Sequence, residues 1–136
     1  MPQPSTIVLV CEHGAAKSVV AAAYFNKLAD EKGLNLQAVA RGTNPDQTLS
    51  PHAVIGLLED GLTPTESVPR ELSLADVESA QRIITFCELP EEYNQKASVE
   101  QWNGVLPVSE NYEQARDAII ERINTLVNYH RQRRWL

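Results

Sequence analysis

IVLVCEHGAAKS, residues 7–18, contains the main clue to the architecture of this chain. Its first four residues are aliphatic and mostly β-branched, which is typical of a strand buried on both faces of a parallel sheet. A cysteine and a short loop of small residues come next, and a helical pattern then runs over residues 19–32. This order of strand, loop and helix indicates the first half of a βαβ unit.

The same alternation continues along the rest of the chain. Further strands are predicted over residues 36–40, 82–87 and, more weakly, 99–106. Helices are predicted over residues 50–61, after Ser73 and over residues 110–130, while residues 89–95 are expected to form a loop or a helical turn. Strands that alternate with helices favour a parallel sheet with right-handed crossovers, and function is expected at its carboxyl edge.

Length and composition point to one ordinary domain. The chain has 136 residues, is 43% hydrophobic and carries a net charge of −6, a balance that argues against nucleic-acid binding. No apolar run approaches the ~20 residues of a membrane span, and the N-terminus lacks the pattern of a signal peptide. Two cysteines make neither a disulfide framework nor a zinc site. We therefore expect a single cytoplasmic domain over residues 1–136, with no metal, no cofactor and no nucleic-acid or membrane partner.

Cys11 is the predicted nucleophile, because it follows the first strand and precedes a helix. The residues after it are predicted to form an anion-binding loop, and they are Glu12, His13, Gly14, Ala15 and Ala16. Their amides, turned inward, can make a nest for an oxyanion, and the N-terminus of the helix adds partial positive charge. Lys17 and the hydroxyl of Ser18 can stabilise charge at the same point. Each of these features favours a thiolate over a thiol at Cys11.

Less specific interpretations of the same residues stay open. A lone cysteine at the end of a buried strand is usually a small core residue. A flavodoxin-like module that binds a partner protein is a separate option, which an inert Cys11 thiol near neutral pH would favour. His13 can face either the anion or solvent. The carboxylate of Glu12 would repel an anion, so we expect it to turn away or to pair with Arg41 or Arg70.

With these residues in view, the sequence resembles the low-molecular-weight protein tyrosine phosphatase family and its related arsenate reductases. The family carries a strand, then Cys-x5-Arg-Ser, then a helix, and residues 11–18 read Cys-x5-Lys-Ser here. The similarity continues through residues 40–43, 51–54, 70–72 and 83–87 to Trp102 and the last helix. The resemblance implies an α/β three-layer sandwich with a four-stranded parallel sheet flanked by helices, and an anion pocket at Cys11.

Three departures from the family pattern affect the expected chemistry. Lys17 replaces the loop arginine, which keeps the charge but loses the bidentate grip on two oxygens. The family's general-acid aspartate, usually before a proline, is absent from residues 102–110, where Glu110 is the nearest carboxylate and a candidate acid. Thioredoxin-coupled arsenate reductases carry two further cysteines after the third strand. Only Cys87 stands there, as a candidate resolving thiol or a buried strand-end residue.

The expected activity is that of a cysteine-dependent phosphatase of the tyrosine-phosphatase type, acting on a phosphate-like oxyanion or a phosphoester substrate. Two alternatives stay open. One is an arsenate reductase that draws on a thiol reductant. The other is a degenerate member that binds an oxyanion or senses redox state without turnover, and Lys17 and the missing aspartate motivate it.

Overall fold

The strand that leads to Cys11 is the centre of a parallel sheet. The computed structural model describes residues 5–94 and 99–133, so the first four residues, which enter the signal-peptide prediction, lie outside it. The parallel strands are β1 (Ser5–Cys11), β2 (Leu36–Gly42), β3 (Arg82–Thr85) and β4 (Val99–Gln101). Their order is β2-β1-β3-β4, so β1 is hydrogen-bonded on both sides. The predicted four-stranded parallel sheet is confirmed.

Helices cover both faces of this sheet. In the described part of the chain they are α1 (Lys17–Glu31), α2 (Pro51–Glu59), α3 (Leu74–Ser79), α4 (Glu91–Asn94) and α5 (Tyr112–Arg133). Helices α1, α2 and α5 pack against one another on one face, and α3 packs against the other face. The predicted α/β sandwich of three layers is therefore confirmed.

The first strand is buried on both faces, as its continuous apolar run predicts. Ile7 and Leu9 belong to the core beneath α1 and α5, whereas Val8 and Val10 belong to the core beneath α3. All four side chains are at most 1% exposed. Successive side chains of a strand point to opposite faces, so a strand covered on both sides needs apolar residues at every position.

Some boundaries differ from the prediction for local reasons. β3 ends at Thr85 rather than Cys87, because the Thr85 hydroxyl donates to the carbonyl of Cys87 and accepts from its amide, which turns the chain. β4 ends at Gln101 rather than at residue 106, and Gly104 beyond it has a φ of +82°. α5 begins at Tyr112 rather than at residue 110, because the Asn111 side chain caps it by accepting from the amide of Gln114.

Candidate active site

Backbone hydrogen bonds to the segment after β2 hold the loop between β1 and α1 in place. The carbonyls of three consecutive residues accept from amides that follow β2. Cys11 accepts from Thr43 at 3.3 Å, Glu12 from Asn44 at 2.7 Å and His13 from Asp46 at 3.0 Å. In the described chain, the amides of residues 12–16 donate to no backbone carbonyl. The carbonyls of this loop are thus engaged while its amides are left for another acceptor. That is the backbone arrangement of an anion nest.

Two glycines fix this loop against the end of β2. Gly14 has a φ of +60°, and a Cβ on it would lie 2.8 Å from the amide nitrogen of Gly42. A Cβ on Gly42 would lie 2.7 Å from the amide nitrogen of Gly14. Since real Cβ atoms do not approach backbone so closely, both positions require glycine, and the backbones of loop and strand meet directly.

The Cys11 thiol lies at the floor of the loop. Its residue is 8% exposed, and Sγ lies 3.0 Å from the hydroxyl oxygen of Ser18, which is fully buried. The Ser18 hydroxyl can donate to a sulfur anion there. A hydroxyl hydrogen bond to the charged form of a group favours that form.

Helix α1 starts beside the same loop. Its first residue is Lys17, its N-cap residue Ala16 makes no side-chain capping bond, and its first turn carries no acidic residue. The first amides of the helix are thus left without a side-chain acceptor, and they carry the positive end of the helix dipole. Lys17 forms no ion pair with any carboxylate in residues 5–94 or 99–133. Its charge is available to an anion.

A cleft of about 400 Å³ opens above Cys11. Its polar lining residues are Cys11, Glu12, His13, Lys17, Asp46, Ser50, Cys87 and Ser109. The remaining lining is apolar and comes from Ala15, Ala16, Phe86, Pro107 and Val108. The cleft thus combines a thiol, a cation and bare amides on its floor with apolar walls at its sides.

This combination agrees with a family match. The family model described as low molecular weight phosphotyrosine protein phosphatase matches residues 6–118, which is most of the chain. The chain belongs to this phosphatase family. No curated protein sequence matches it.

Solved structures have the same fold at low identity. The YwlE mutant from Bacillus subtilis is 24% identical, with 92% of this chain and 97% of that chain covered and a TM-score of 0.78. A low molecular weight protein tyrosine phosphatase from Bacillus subtilis is 21% identical, with 95% and 99% covered and a TM-score of 0.78. An arsenate reductase from Archaeoglobus fulgidus is 25% identical, with 90% and 98% covered and a TM-score of 0.67. The phosphatase fold predicted from the resemblance is confirmed.

Cys87 shares the cleft of this phosphatase fold with Cys11. Both thiols are free, and both line the same cavity. The Sγ atom of Cys87 lies 3.4 Å from the Thr85 hydroxyl, in the turn that ends β3. The structure therefore brings the predicted resolving thiol to the predicted nucleophile's cavity, and Cys87 is only partly buried.

Glu110, the candidate acid, does not line the Cys11 cleft. It is exposed and lines a separate cavity with His52, Asp60 and Tyr112. Leu106 precedes Pro107, where the phosphatase family carries its aspartate, and its side chain is 43% exposed. The structure thus brings Cys11, Lys17, Ser18 and the loop together, and it leaves Glu110 apart.

Of the two alternatives for Glu12, pairing with Arg41 or Arg70 is wrong, whereas a carboxylate that turns outward agrees with its exposure. Arg41 binds Glu66 at 2.6 Å and Asp76 at 3.1 Å, and Arg70 binds Glu66. This network fixes the segment before α3 and leaves neither arginine for the loop. Glu12 instead lies 3.8 Å from Nε2 of His13, with its carboxylate largely exposed.

Sequence reasoning missed Asp46 as a residue of this site. Asp46 lies in the turn-rich segment after β2, lines the cleft, and places Oδ1 3.3 Å from Nδ1 of His13. A signal was present, because the carboxyl ends of adjacent parallel strands meet at one edge of a sheet. A carboxylate shortly after β2 was therefore a candidate neighbour of the loop after β1.

A second polar cluster lies beside α5 at the edge of the core, formed by Tyr24, Asp60, Tyr112 and Arg116; we call it the Asp60 cluster. Both tyrosine hydroxyls donate to Oδ2 of Asp60, at 2.5 and 2.9 Å, and Arg116 donates to Oδ1 at 3.2 Å. Burial opposes the charge on Asp60, but these hydrogen bonds and the arginine outweigh it and lower the pKa of the carboxyl. Burial and the Asp60 carboxylate raise the pKa of Tyr24 to about 12 and also raise that of Tyr112.

The described residues contain neither a membrane-spanning helix nor a cluster of metal ligands. None of their helices is both long enough and apolar enough to cross a membrane. Among the same residues, no group of three or more histidine, cysteine or acidic side chains is arranged to hold a metal ion.

Proposed function

We propose that this protein is a cysteine-dependent phosphatase that cleaves phosphomonoesters through a thiophosphoryl intermediate on Cys11. The observation that carries the proposal is the loop of unpaired amides around the Cys11 thiol. A phosphate dianion placed over the sulfur can accept from these amides and from Lys17, and Sγ then faces phosphorus. Donors aimed at the oxygens of the transferring group stabilise the charge that develops in the transition state.

In the first step the Cys11 thiolate attacks phosphorus, an S–P bond forms, and the P–O bond to the leaving group breaks. The leaving oxygen keeps the electron pair and takes a proton. In the second step water attacks phosphorus, the S–P bond breaks, and inorganic phosphate leaves as Cys11 regains its thiolate. Ser18 supports the proposal because its buried hydroxyl, 3.0 Å from Sγ, can stabilise the sulfur anion at both ends of the cycle.

Turnover of para-nitrophenyl phosphate tests this function. We expect wild type to release phosphate and Cys11→Ser to lose at least about 10³-fold in kcat, since an unactivated hydroxyl is a poor nucleophile. Cys87→Ser is the matched control, since it changes the other thiol of the same cleft and should keep the activity. Equal rates for wild type and Cys11→Ser would exclude the proposal.

A second candidate function, arsenate reduction, is favoured by the position of Cys87 in the same cleft. The Cys11 thiolate would attack arsenic, forming an S–As bond as one As–O bond breaks and that oxygen leaves as water. The Cys87 thiolate would then attack the Cys11 sulfur: the disulfide forms, the S–As bond breaks with its electron pair going to arsenic, and arsenite leaves. An external dithiol then reduces the disulfide. Arsenate-dependent consumption of dithiothreitol measures this. The reaction requires both cysteines, so loss of arsenate reduction with retained phosphatase activity in Cys87→Ser would support it, whereas no consumption by wild type would exclude it.

The proposal also covers the cellular compartment and the domain organisation of the protein. A catalytic thiol needs a compartment that keeps thiols reduced, which supports a cytoplasmic location. The family match spans most of the chain, which supports one catalytic domain over residues 1–136.

A further inference from the structure

The proposed reaction needs a proton for the leaving group, and the cleft contains few groups that can supply it. Where the family carries its aspartate, this chain has Leu106, and Glu110 lies in another cavity. The carboxylates that line the Cys11 cleft are Glu12 and Asp46, and His13 lines it between them.

The closer contacts of the His13 ring are at Nδ1, since Nε2 meets only the Glu12 carboxylate, at 3.8 Å. Its Nδ1 lies 3.3 Å from Oδ1 of Asp46 and 3.3 Å from the carbonyl oxygen of Asn44. Both neighbours are acceptors, so Nδ1 carries a proton, and Nε2 is the nitrogen that can exchange one with a substrate. The amide of Asp46 also donates to the carbonyl of His13 at 3.0 Å, so backbone and side chain of the two residues are tied together.

The ring stands at the mouth of the cleft. The His13 side chain is 52% exposed, whereas the residue of the Cys11 thiol on the floor is 8% exposed. A substrate phosphate bound to the loop amides must point its leaving group away from the sulfur, because displacement at phosphorus is in line. The leaving oxygen therefore faces the mouth of the cleft that His13 lines.

We propose that His13 is the proton donor to the leaving group and that Asp46 positions its ring. This inference rests on the proposed phosphatase function. As the P–O bond breaks, the leaving oxygen takes the proton from Nε2 of the imidazolium, which becomes a neutral imidazole. In the second step Nε2 accepts a proton from the attacking water, and the imidazolium is restored when phosphate leaves. The charged groups around the ring are Glu12, 3.8 Å from Nε2, Asp46 on Nδ1, and Lys17 and Cys11 on the cleft lining.

Leaving-group dependence tests the proposal. A general acid matters for a poor leaving group and hardly at all for an acidic phenol. We expect His13→Gln to lower kcat/KM, which reports the steps up to release of the alcohol, by about 10²-fold or more on phenyl phosphate and by less than about threefold on para-nitrophenyl phosphate. His52→Gln, on the exposed surface of α2, is the matched control and should leave both rates unchanged.

Asp46→Asn tests the positioning role. Because it leaves the imidazole in place, we expect a smaller loss on phenyl phosphate in the same direction. The loss of kcat/KM in Asp46→Asn should be larger on phenyl phosphate than on para-nitrophenyl phosphate, as in His13→Gln. A merely structural role of Asp46 would lower kcat/KM equally on both esters.

The outcomes distinguish failure of the His13 proposal from failure of the proposed phosphatase function. If wild type cleaves neither ester, the proposed function fails. If wild type is active but His13→Gln loses equally on both esters, or on neither, His13 is not the proton donor. If Asp46→Asn shows the leaving-group-dependent loss and His13→Gln does not, Asp46 is the donor and the proposal is overturned.

Discussion

The Cys11 loop and the Asp60 cluster are both polar groups at the edge of an apolar core, but their hydrogen-bonding groups differ: those of the Asp60 cluster are paired within the protein, and those of the loop are not. Asp60 accepts from two tyrosines and an arginine, so its charge is matched within the protein. The Cys11 loop leaves the amides of residues 12–16 without backbone acceptors and Lys17 without a carboxylate in the described chain. Matched groups stabilise the fold, whereas unmatched donors that converge on one point are available to a ligand.

Neutralising Lys17 in the Cys11 loop should have the largest effect on activity and little effect on stability. We expect Lys17→Met to lower kcat/KM on para-nitrophenyl phosphate by about 10²–10³-fold, because it removes a donor aimed at the transferring phosphoryl group. Its stability should be unchanged or slightly higher, since the lysine pairs with no described carboxylate. Steady-state kinetics and urea unfolding of the same samples check both halves.

Lys17→Arg is the matched control for that experiment. It keeps the charge and adds the planar fork that grips two phosphate oxygens, so kcat/KM should equal or exceed that of wild type. A Lys17→Met enzyme within twofold of wild type would mean that the backbone alone binds the anion.

Asp60→Asn should have the opposite signature, a loss of stability with unchanged activity. The variant leaves Arg116 and two tyrosine hydroxyls without their carboxylate, which we expect to cost about 2–3 kcal/mol. Urea unfolding measures the loss, and para-nitrophenyl phosphate turnover of the folded enzyme should match wild type. A large fall in activity with intact stability would place Asp60 in the functional site instead.

The stability difference between wild type and Asp60→Asn should also depend on pH. The fold lowers the pKa of the Asp60 carboxyl, so its contribution is fully present above the unfolded value, about 4. It is lost as pH falls through the lower folded value. The two unfolding curves should therefore converge below about pH 4 and remain separate at pH 7. A difference that stays constant to acid pH would contradict this account.

The sequence was informative where a residue's role depends on its neighbours along the chain. The apolar run of β1 and Gly14 in the loop after Cys11 act within a few residues of the chain. The same holds for Ser50 and Ser73, which cap α2 and α3, and these elements lie where the sequence predicts them. The pairing of His13 with Asp46 spans two loops, and the Asp60 cluster joins three helices or their ends. Such contacts depend on the angles between elements, which local patterns do not specify.

The partner of Glu12 illustrates the same limit. Charge alone made Arg41 and Arg70 reasonable partners, since Arg41 lies near the end of β2 and the carbonyl of Arg70 accepts from the amide of Gly42. Charge does not say which of several carboxylates is nearest, and Glu66 and Asp76 lie closer in the fold. Likewise, Glu110 was expected in the first turn of the last helix but precedes α5, and only the packing shows that it lines a cavity different from that of Cys11.

Tyr24→Phe should have the smallest effect of these variants, because it changes the stability through a single hydrogen bond of the Asp60 cluster. It removes one of the hydroxyls that donate to Asp60 and leaves the ring to pack, so we expect a loss of about 1–2 kcal/mol. The fold raises the pKa of Tyr24 to about 12 by burial and by the Asp60 carboxylate, so its hydroxyl stabilises the fold below the unfolded value near pH 10. That contribution declines as pH rises from about 10 towards 12, because the unfolded tyrosine ionises first. The difference between Tyr24→Phe and wild type in urea unfolding should accordingly shrink over that range, and a difference that grows there would contradict a hydroxyl held neutral by Asp60.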